Sequence, residues 1–181
     1  MLKTVQLITL LLLSTFTAQS SIAEEFKGKL FFTQVNIYSL KGKVVTWVNY
    51  HIDTLIPVNT AITINKVGAT GVIFTIKESG QKLKLKNKKR SSGLTGKAWV
   101  KKHFSETPID LQLFTQSERD AIVSADIVVG MSKQAVIVSR GYPPAHKTPS
   151  LENPYWLYWQ TRWHKIGVTF GGDKKVSSIK R

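Results

Sequence analysis

The chain has 181 residues, a formal net charge of +15 and no cysteine. This sequence therefore offers no disulfide framework and no thiol that could carry a lipid anchor, and its fold must rest on apolar burial. A chain of this length suffices for one medium domain or two small ones. The excess of lysine favours a polyanionic partner, although the same charge also serves solubility alone.

The first residues have the order of a secretory signal. Lys3 precedes an apolar run at residues 7–13, and the stretch "SIA" at residues 21–23 supplies small side chains. The run is too short for a stable transmembrane helix, so we expect a signal peptide at residues 1–23 that is cleaved before Glu24. The expected location is periplasmic or secreted, and no later segment is predicted to span a membrane.

The half of the chain up to residue 90 has the two-residue period of β-strands. One face of the first strand is predicted to consist of Phe31, Thr33, Val35 and Ile37. Further strands are predicted at residues 44–50, 61–67, 72–77 and 82–85. Five short strands predict a small all-β barrel at residues 24–90. The stretch "LIPVNTAITINKV" resembles the loop-and-strand element of bacterial Src homology 3-like barrels.

A basic stretch follows, "KLKLKNKKRSSGLTGKAWVKK", which carries nine basic residues and no acidic one in residues 82–102. On a strand, the alternate lysines of residues 82–86 share one face while Leu83 and Leu85 point to the core. The pattern is typical of an exposed edge strand protected by lysines, and it also suits an anion-binding site. The predicted anion-binding side chains are Lys84, Lys86, Lys88, Lys89 and Arg90. Apart from Trp99, the aromatic residues of a nucleic-acid groove are missing, so no nucleic acid is expected as a partner.

The pattern changes to helices after residues 91–114, which are predicted to form a basic linker. At "TQSE", Thr115 suits the N-cap and Glu118 the third helical position of a capping box. A second helix of barely two turns is predicted between the N-cap Ser132 and Gly141, where a left-handed residue followed by prolines ends it. A helix this short is marginal in water, so it must pack on an apolar surface.

The remaining sequence, "PYWLYWQTRWHKIGVTFGGDKKVSSI", predicts three strands, with Ile166, Val168 and Phe170 on one face. The stretch "IVVGMSKQAVIVSRGYP", the Trp/Tyr strand, "VTF" and "VSSI" resemble the BamE (SmpA/OmlA) domain of bacterial envelopes over residues 115–181. The resemblance implies two helices on a three-stranded antiparallel sheet and a non-enzymatic role. The best-known member of that family is an outer-membrane lipoprotein that helps the machine inserting β-barrel proteins.

This sequence departs from that member because it lacks the lipid-anchoring cysteine and has a β-rich half in front, so only the fold is carried over. The predicted fold class is therefore α+β: an N-terminal small all-β barrel followed by a two-helix, three-stranded antiparallel BamE-like domain.

The aromatic strand at residues 155–163 carries large rings on both of its faces. The predicted inward set is Tyr155, Leu157, Trp159 and Trp163. Trp156, Tyr158 and Arg162 then point outward, and aromatic residues with arginine dominate binding hot spots. Together with Tyr142, from the proline-rich loop after the second helix, they are the predicted partner-binding residues. The alternatives are that the β-rich half covers this face or that flat rings merely tile it, and that the loop is only a stiff connection.

Catalysis and metal binding have little support in the sequence. The four histidines are scattered, and there is no HExxH pair, no GxSxG elbow and no Gly-rich phosphate loop. We therefore expect no enzyme activity, no cofactor and no metal site.

Three functions follow from these patterns. The leading hypothesis is an exported adaptor that binds an envelope or secreted protein through the aromatic sheet face. The alternative is a module that uses residues 82–102 to bind lipopolysaccharide, anionic lipid or a cell-wall polymer. A third hypothesis is an inhibitor of a secreted enzyme, because β-lactamase-inhibitor proteins are similar in fold to the BamE family.

Overall fold

The structure is a computed structural model and describes residues 25–26 and 28–181. The expected signal peptide at residues 1–23 and its cleavage before Glu24 lie outside the described residues. Eight strands form a first sheet: β1 (Leu30–Thr33), β2 (Ile37–Leu40), β3 (Val44–Thr46), β4 (Thr54–Ile56), β5 (Ala61–Val67), β6 (Gly71–Ile76), β7 (Lys82–Lys86) and β8 (Phe104–Ser105). Three strands form a second sheet: β9 (Tyr155–Trp159), β10 (Lys165–Phe170) and β11 (Val176–Lys180). The helices are α1 (Lys89–Ser92), α2 (Gly96–His103), α3 (Gln116–Val123) and α4 (Lys133–Arg140), with a 3-10 turn at Leu111–Leu113.

The first sheet curls into a half-barrel, and the length of the chain between two of its strands requires this. Its order is β4-β2-β3-β7-β6-β5-β1-β8, with antiparallel neighbours except for the parallel pair of β3 and β7. In a flat sheet the four strands between β1 and β2 would hold these two about 24 Å apart. Only residues 34–36 connect them, and such a link spans at most about 14 Å. The sheet must therefore bend until β1 and β2 approach each other.

The predicted fold class is wrong. Residues 24–90 do not complete a small barrel, because β8, at Phe104–Ser105, pairs with β1. The sheet is open, since its edge strands β4 and β8 do not pair with each other in the described part of the chain. Residues 91–114, predicted as a linker, also form α2, whose Trp99 and Val100 are buried. A long apolar face of eight strands needs such a cover, which the strand pattern of the first half does not reveal.

The two predicted helix starts are confirmed. The Thr115 hydroxyl accepts the backbone N–H of Glu118 at 3.3 Å, and the Glu118 carboxylate accepts the backbone N–H of Thr115 at 3.0 Å. At α4 the Ser132 hydroxyl accepts the N–H of Ala135 at 3.2 Å. The helix ends at Gly141 as predicted, but its φ of 78° and ψ of −175° differ from the left-handed helical conformation expected there. These ends are specified by neighbours in sequence, which is why the sequence predicts them.

The last turn of α4 docks between β1 and β2, the two strands that the curl of the sheet brings together. The backbone N–H of Asn36 donates to the carbonyl of Val138 at 2.9 Å, and its side-chain amide donates to the carbonyl of Ser139 at 3.1 Å. The amide of Asn49 donates to the carbonyl of Arg140 at 3.1 Å. A helix end normally leaves these carbonyls without partners. The half-barrel therefore stabilises a helix that is too short to persist alone.

One apolar core joins the two sheets. Its cluster of buried residues includes Phe74 and Leu83 of the half-barrel, Ile122 of α3, and Trp156 and Val168 of the second sheet, all fully buried. The β-rich half is therefore not followed by a two-helix domain with a core of its own. Across the described residues, no helix combines the length and the apolar character that a membrane crossing requires.

Candidate functional site

The alternation predicted for the basic strand is present in β7. Lys82, Lys84 and Lys86 are exposed, whereas Leu83 and Leu85 are 0% and 1% exposed. Successive side chains of a strand point to opposite faces, so the three ammonium groups share the outer face of the half-barrel.

The interpretation of β7 as an edge strand is wrong. β7 pairs with β6 on one side and with β3 on the other. The parallel partner β3 is remote in sequence, and nothing in the local pattern of residues 82–86 indicates which strand lies beside it. The lysines therefore do not protect an unpaired backbone edge, and solubility and anion binding are left as the reasons for their exposure.

A fourth lysine extends this surface across the sheet. Lys66 of β5 lies opposite Ile73 of β6, and Ile73 lies opposite Lys84. Directly opposite residues of antiparallel strands share a face, so these three side chains form one row on the outer surface. We call Lys66, Lys82, Lys84 and Lys86 the lysine face. Within the described part of the chain none of the four forms a salt bridge.

The other predicted anion-binding residues follow β7 directly. Lys88 and Lys89 are exposed, and Lys88 is the N-cap residue of α1. Arg90 lies in α1, and its side chain lies outside the described part of the structure. The structure thus places the predicted lysines along β7 and the turn that leaves it.

The predicted outward orientation of the aromatic strand is wrong. Trp156 is 0% exposed and Tyr158 is 3% exposed. Trp156 packs edge-on against Phe170 with ring centroids 4.6 Å apart. The two rings belong to the core and offer no surface to a partner.

The facing of β9 follows from its register with β10. Trp156 lies opposite Val168, and Tyr158 lies opposite Ile166. Because opposite residues share a face and Ile166 and Val168 are buried, Trp156 and Tyr158 must point inward as well. The predicted inward face of β10 is therefore correct, whereas the inward and outward faces predicted for β9 are interchanged.

Exposed aromatic surface remains at the end of the β9–β10 hairpin. Trp163, predicted to be inward, is 78% exposed, and the guanidinium of Arg162 lies 5.2 Å from its ring centre. Tyr155 is 48% exposed and lies at the opposite end of β9, away from this turn. Of the predicted outward residues, only Arg162 is exposed.

Tyr142 lies half-buried where the loop after α4 meets α2. The ammonium of Lys102 lies 3.9 Å above its ring centre, and the ring of His103 packs edge-on at 5.4 Å. Burial raises the pKa of Tyr142 and lowers the pKa of Lys102. Pro143 and Pro144 are buried. Tyr142 therefore packs against α2, whose Trp99 stacks on Phe74 of the half-barrel.

A buried arginine, which the sequence patterns do not single out, lies at the end of α4. Arg140 is 4% exposed. Its Nη2 donates to Oε1 of Gln160 at 2.8 Å and its Nη1 to the carbonyl of Ala125 at 3.4 Å. Among the described residues, Nε has no acceptor and no carboxylate lies within 4.0 Å of the guanidinium. Burial lowers the pKa of Arg140 to about 10, so the side chain is charged at neutral pH.

Neutral donors surround the backbone of the same helix end. The Nε2 atom of His51 lies 3.0 Å from the carbonyl of Arg140 and carries the proton, because a carbonyl only accepts. Burial lowers the pKa of His51 to about 3, so the ring stays neutral. The hydroxyl of Tyr158 donates to the carbonyl of Gly141 at 3.1 Å, and burial raises the pKa of this phenol. None of these groups supplies the negative charge that Arg140 lacks.

Arg140 lines an open groove with a volume of about 550 Å³. Its lining includes Tyr38, Asp126, Arg140, Gln160, Lys165 and Arg181. Asp126 is the one acidic side chain along this groove in the described part of the chain, and it is bonded to Arg181 at 2.7 Å. Basic side chains therefore outnumber acidic ones in this groove. We call it the Arg140 groove.

No group of three His, Asp or Glu side chains within residues 25–26 and 28–181 is arranged to hold a metal ion. No protein-family model, no curated protein and no solved structure matches the chain. The BamE-like and Src homology 3-like resemblances therefore stay predictions.

Proposed function

We propose that the protein binds an extended, phosphate-rich polyanion of the cell envelope through the lysine face. Lipopolysaccharide and teichoic-type cell-wall polymers carry this chemistry, and a protein exported by the predicted signal peptide would meet them. The buried position of Trp156 and Tyr158 removes the surface on which the protein-binding hypothesis relied.

The observation that carries the proposal is the group of exposed lysines on an interior strand and two strands away from it, none of which forms a salt bridge within the described residues. Alternate residues of β7 place Lys82, Lys84 and Lys86 about 7 Å apart, and Lys66 lies two strands away, about 10 Å from Lys84. Opposite-charge neighbours would normally stabilise such a sheet surface, and like charges side by side destabilise it. A polyanion laid across the face offsets this repulsion and releases its own counterions.

Reversal of two charges tests the proposal. The double variant Lys84→Glu/Lys86→Glu should bind teichoic acid or lipopolysaccharide at least about tenfold more weakly than the unaltered protein at low salt. Its affinity should also fall less steeply between about 50 and 200 mM salt, because fewer counterions are released. The measurement is a titration of the immobilised polymer, with neutral dextran as the polymer control.

The matched control is Lys174→Glu/Lys180→Glu, which changes the net charge by the same amount at the β10–β11 turn and in β11. Both lysines are exposed. If this variant loses as much affinity as the β7 variant, net charge alone drives binding and the lysine face is not a site. Binding that does not respond to salt would also contradict the proposal.

A protein-binding role is the second candidate, and the exposure of Trp163 favours it. Trp163 is 78% exposed and lies beside Arg162, and tryptophan and arginine are residue types that dominate binding hot spots. The surface consists of Trp163 and Arg162 in the turn between β9 and β10.

Affinity capture from an envelope fraction with the Trp163→Ala variant tests this role. A partner protein retained by the unaltered chain should be lost, with an affinity at least about 30-fold lower, whereas Leu113→Ala should retain it. Leu113 is 82% exposed and provides an apolar truncation of similar accessibility elsewhere. Equal recovery with both variants would remove the hairpin surface from consideration.

A further inference from the structure

The Arg140 groove lies apart from the lysine face and differs from it in construction. The lysine face is a row of exposed ammonium groups, whereas Arg140 is 4% exposed and lines a concave groove of about 550 Å³. Sites for small molecules typically enclose about 300 to 1,000 Å³. The groove thus has room for an organic ion larger than a bare halide.

The charges of the groove do not balance. Arg140, Lys165 and Arg181 line it, and Asp126 is the only acidic side chain facing them in the described residues. Asp126 already accepts from Arg181 at 2.7 Å. Two basic side chains are left without an acidic side chain, and one of them is a guanidinium almost entirely removed from water.

The hydrogen bonds of Arg140 are also incomplete. A guanidinium has five N–H donors, and the structure shows bonds from Nη2 to Gln160 and from Nη1 to Ala125. Both acceptors are neutral, and Nε has none among the described residues. A buried charge is costly unless an opposite charge and hydrogen bonds compensate for it. An oxyanion would supply both to Arg140.

We propose that the Arg140 groove is a binding site for a small organic anion, whose carboxylate or phosphate group pairs with Arg140 while Lys165 and Arg181 close on it from the rim. Arginine forms paired hydrogen bonds with planar carboxylates and with phosphates, which gives such a site selectivity for oxyanions. The ring of Tyr38 and the side chain of Ile166 form apolar parts of the wall and suit the carbon skeleton of the ligand. This site is independent of the proposed polyanion binding.

Succinate and inorganic phosphate are the probes, and uncharged succinamide is the control. Saturable binding of either anion, measured by calorimetry, should shift the NMR signal of the Arg140 Nε–H, and succinamide should do neither. The Arg140→Gln variant should bind about 10- to 100-fold more weakly. A preference for succinate or for phosphate identifies the oxyanion, and either preference supports the site.

The rim variant Lys165→Gln/Arg181→Gln keeps the test decisive if Arg140→Gln does not fold, since both rim residues are exposed. It should weaken binding by about tenfold. The lysine-face variant Lys84→Glu/Lys86→Glu should bind the small anions as the unaltered protein does. Failure of both anions to bind, or equal affinity in the rim variant, would overturn the proposal without affecting the lysine face.

Discussion

Replacement of Asn36 by alanine should lower the free energy of unfolding by about 3 to 4 kcal/mol. Asn36 is 1% exposed and lies in the short link between β1 and β2, where its side chain makes three hydrogen bonds. Its Nδ2 donates to the carbonyls of Ile122 at 2.7 Å and Ser139 at 3.1 Å, and its Oδ1 accepts the N–H of Val58 at 2.8 Å. Alanine leaves these buried groups without their partner, and each such loss costs about 1 to 3 kcal/mol.

Urea unfolding measures this effect, and two further variants separate its causes. Asn36→Asp keeps the shape and the acceptor for Val58 but loses both donors, so it should be at least as unstable as Asn36→Ala at neutral pH. Asn65→Ala removes an exposed amide that bonds only the Thr75 hydroxyl, and it should stay within about 0.5 kcal/mol of the unaltered protein. If Asn36→Asp is as stable as the unaltered protein, the side chain fills space and its donors contribute nothing.

The burial of Asn36 shows why the first half of the fold exceeds what local patterns predict. The alternation of Phe31, Thr33, Val35 and Ile37 toward the core is present, since all four are buried. Alternation also predicts an outward Asn36, but residues 34–36 are not part of a strand and form the link from β1 to β2. A polar side chain enters the interior there because helix ends from much later in the chain need donors. The fold topology sets that requirement, so the residues next to Asn36 in sequence do not indicate that its side chain is buried.

In the second sheet, the pairing of β9 with β10 indicates which face of β9 is buried, whereas the periodicity of β9 alone does not. The inward face of β10 was predicted from Ile166, Val168 and Phe170, and the three are buried. Once the hairpin register is known, this face fixes the inward side of β9. Trp156 and Tyr158 could therefore have been placed in the core by pairing the two strands. Aromatic residues alone give no such direction, because they occur both in cores and at interfaces.

The candidate sites differ in how far sequence reveals them. The three β7 lysines of the lysine face follow from a two-residue period within one strand. The position of β7 in the sheet and the addition of Lys66 from β5 depend on strand pairing and are non-local. The Arg140 groove combines residues from β2, the segment after α3, the end of α4 and the β9–β10 hairpin. A single arginine in the last turn of a helix normally complements the helix dipole at the surface. Its burial depends on the docking of α4 against the half-barrel.

The stability of the protein should depend on the ionisation of Glu118 between about pH 5 and pH 2. The Glu118 carboxylate joins the starts of two helices, because it accepts the N–H of Thr115 at 3.0 Å and the N–H of Ser132 at 2.8 Å. Burial alone would raise the pKa of this group, but the donors at Ser132 and Thr115 outweigh it and hold the pKa at about 2, below its usual value of 4.5. A pKa that is lower in the folded state stabilises the fold wherever the carboxylate is ionised in both states.

The Glu118→Gln variant isolates this contribution, since the amide keeps the shape and removes the charge. At pH 7 the variant should unfold with a free energy about 2 to 3 kcal/mol lower than that of the unaltered protein. The difference in unfolding free energy between the two proteins should shrink as the pH falls from 4.5 toward 2. In this range Glu118 binds a proton in the unfolded chain but stays ionised in the folded protein. Glu152→Gln, at an exposed position, should show no such trend. A difference that stays constant down to pH 2 would mean that the hydrogen-bond geometry, rather than the charge, stabilises the joined helix starts.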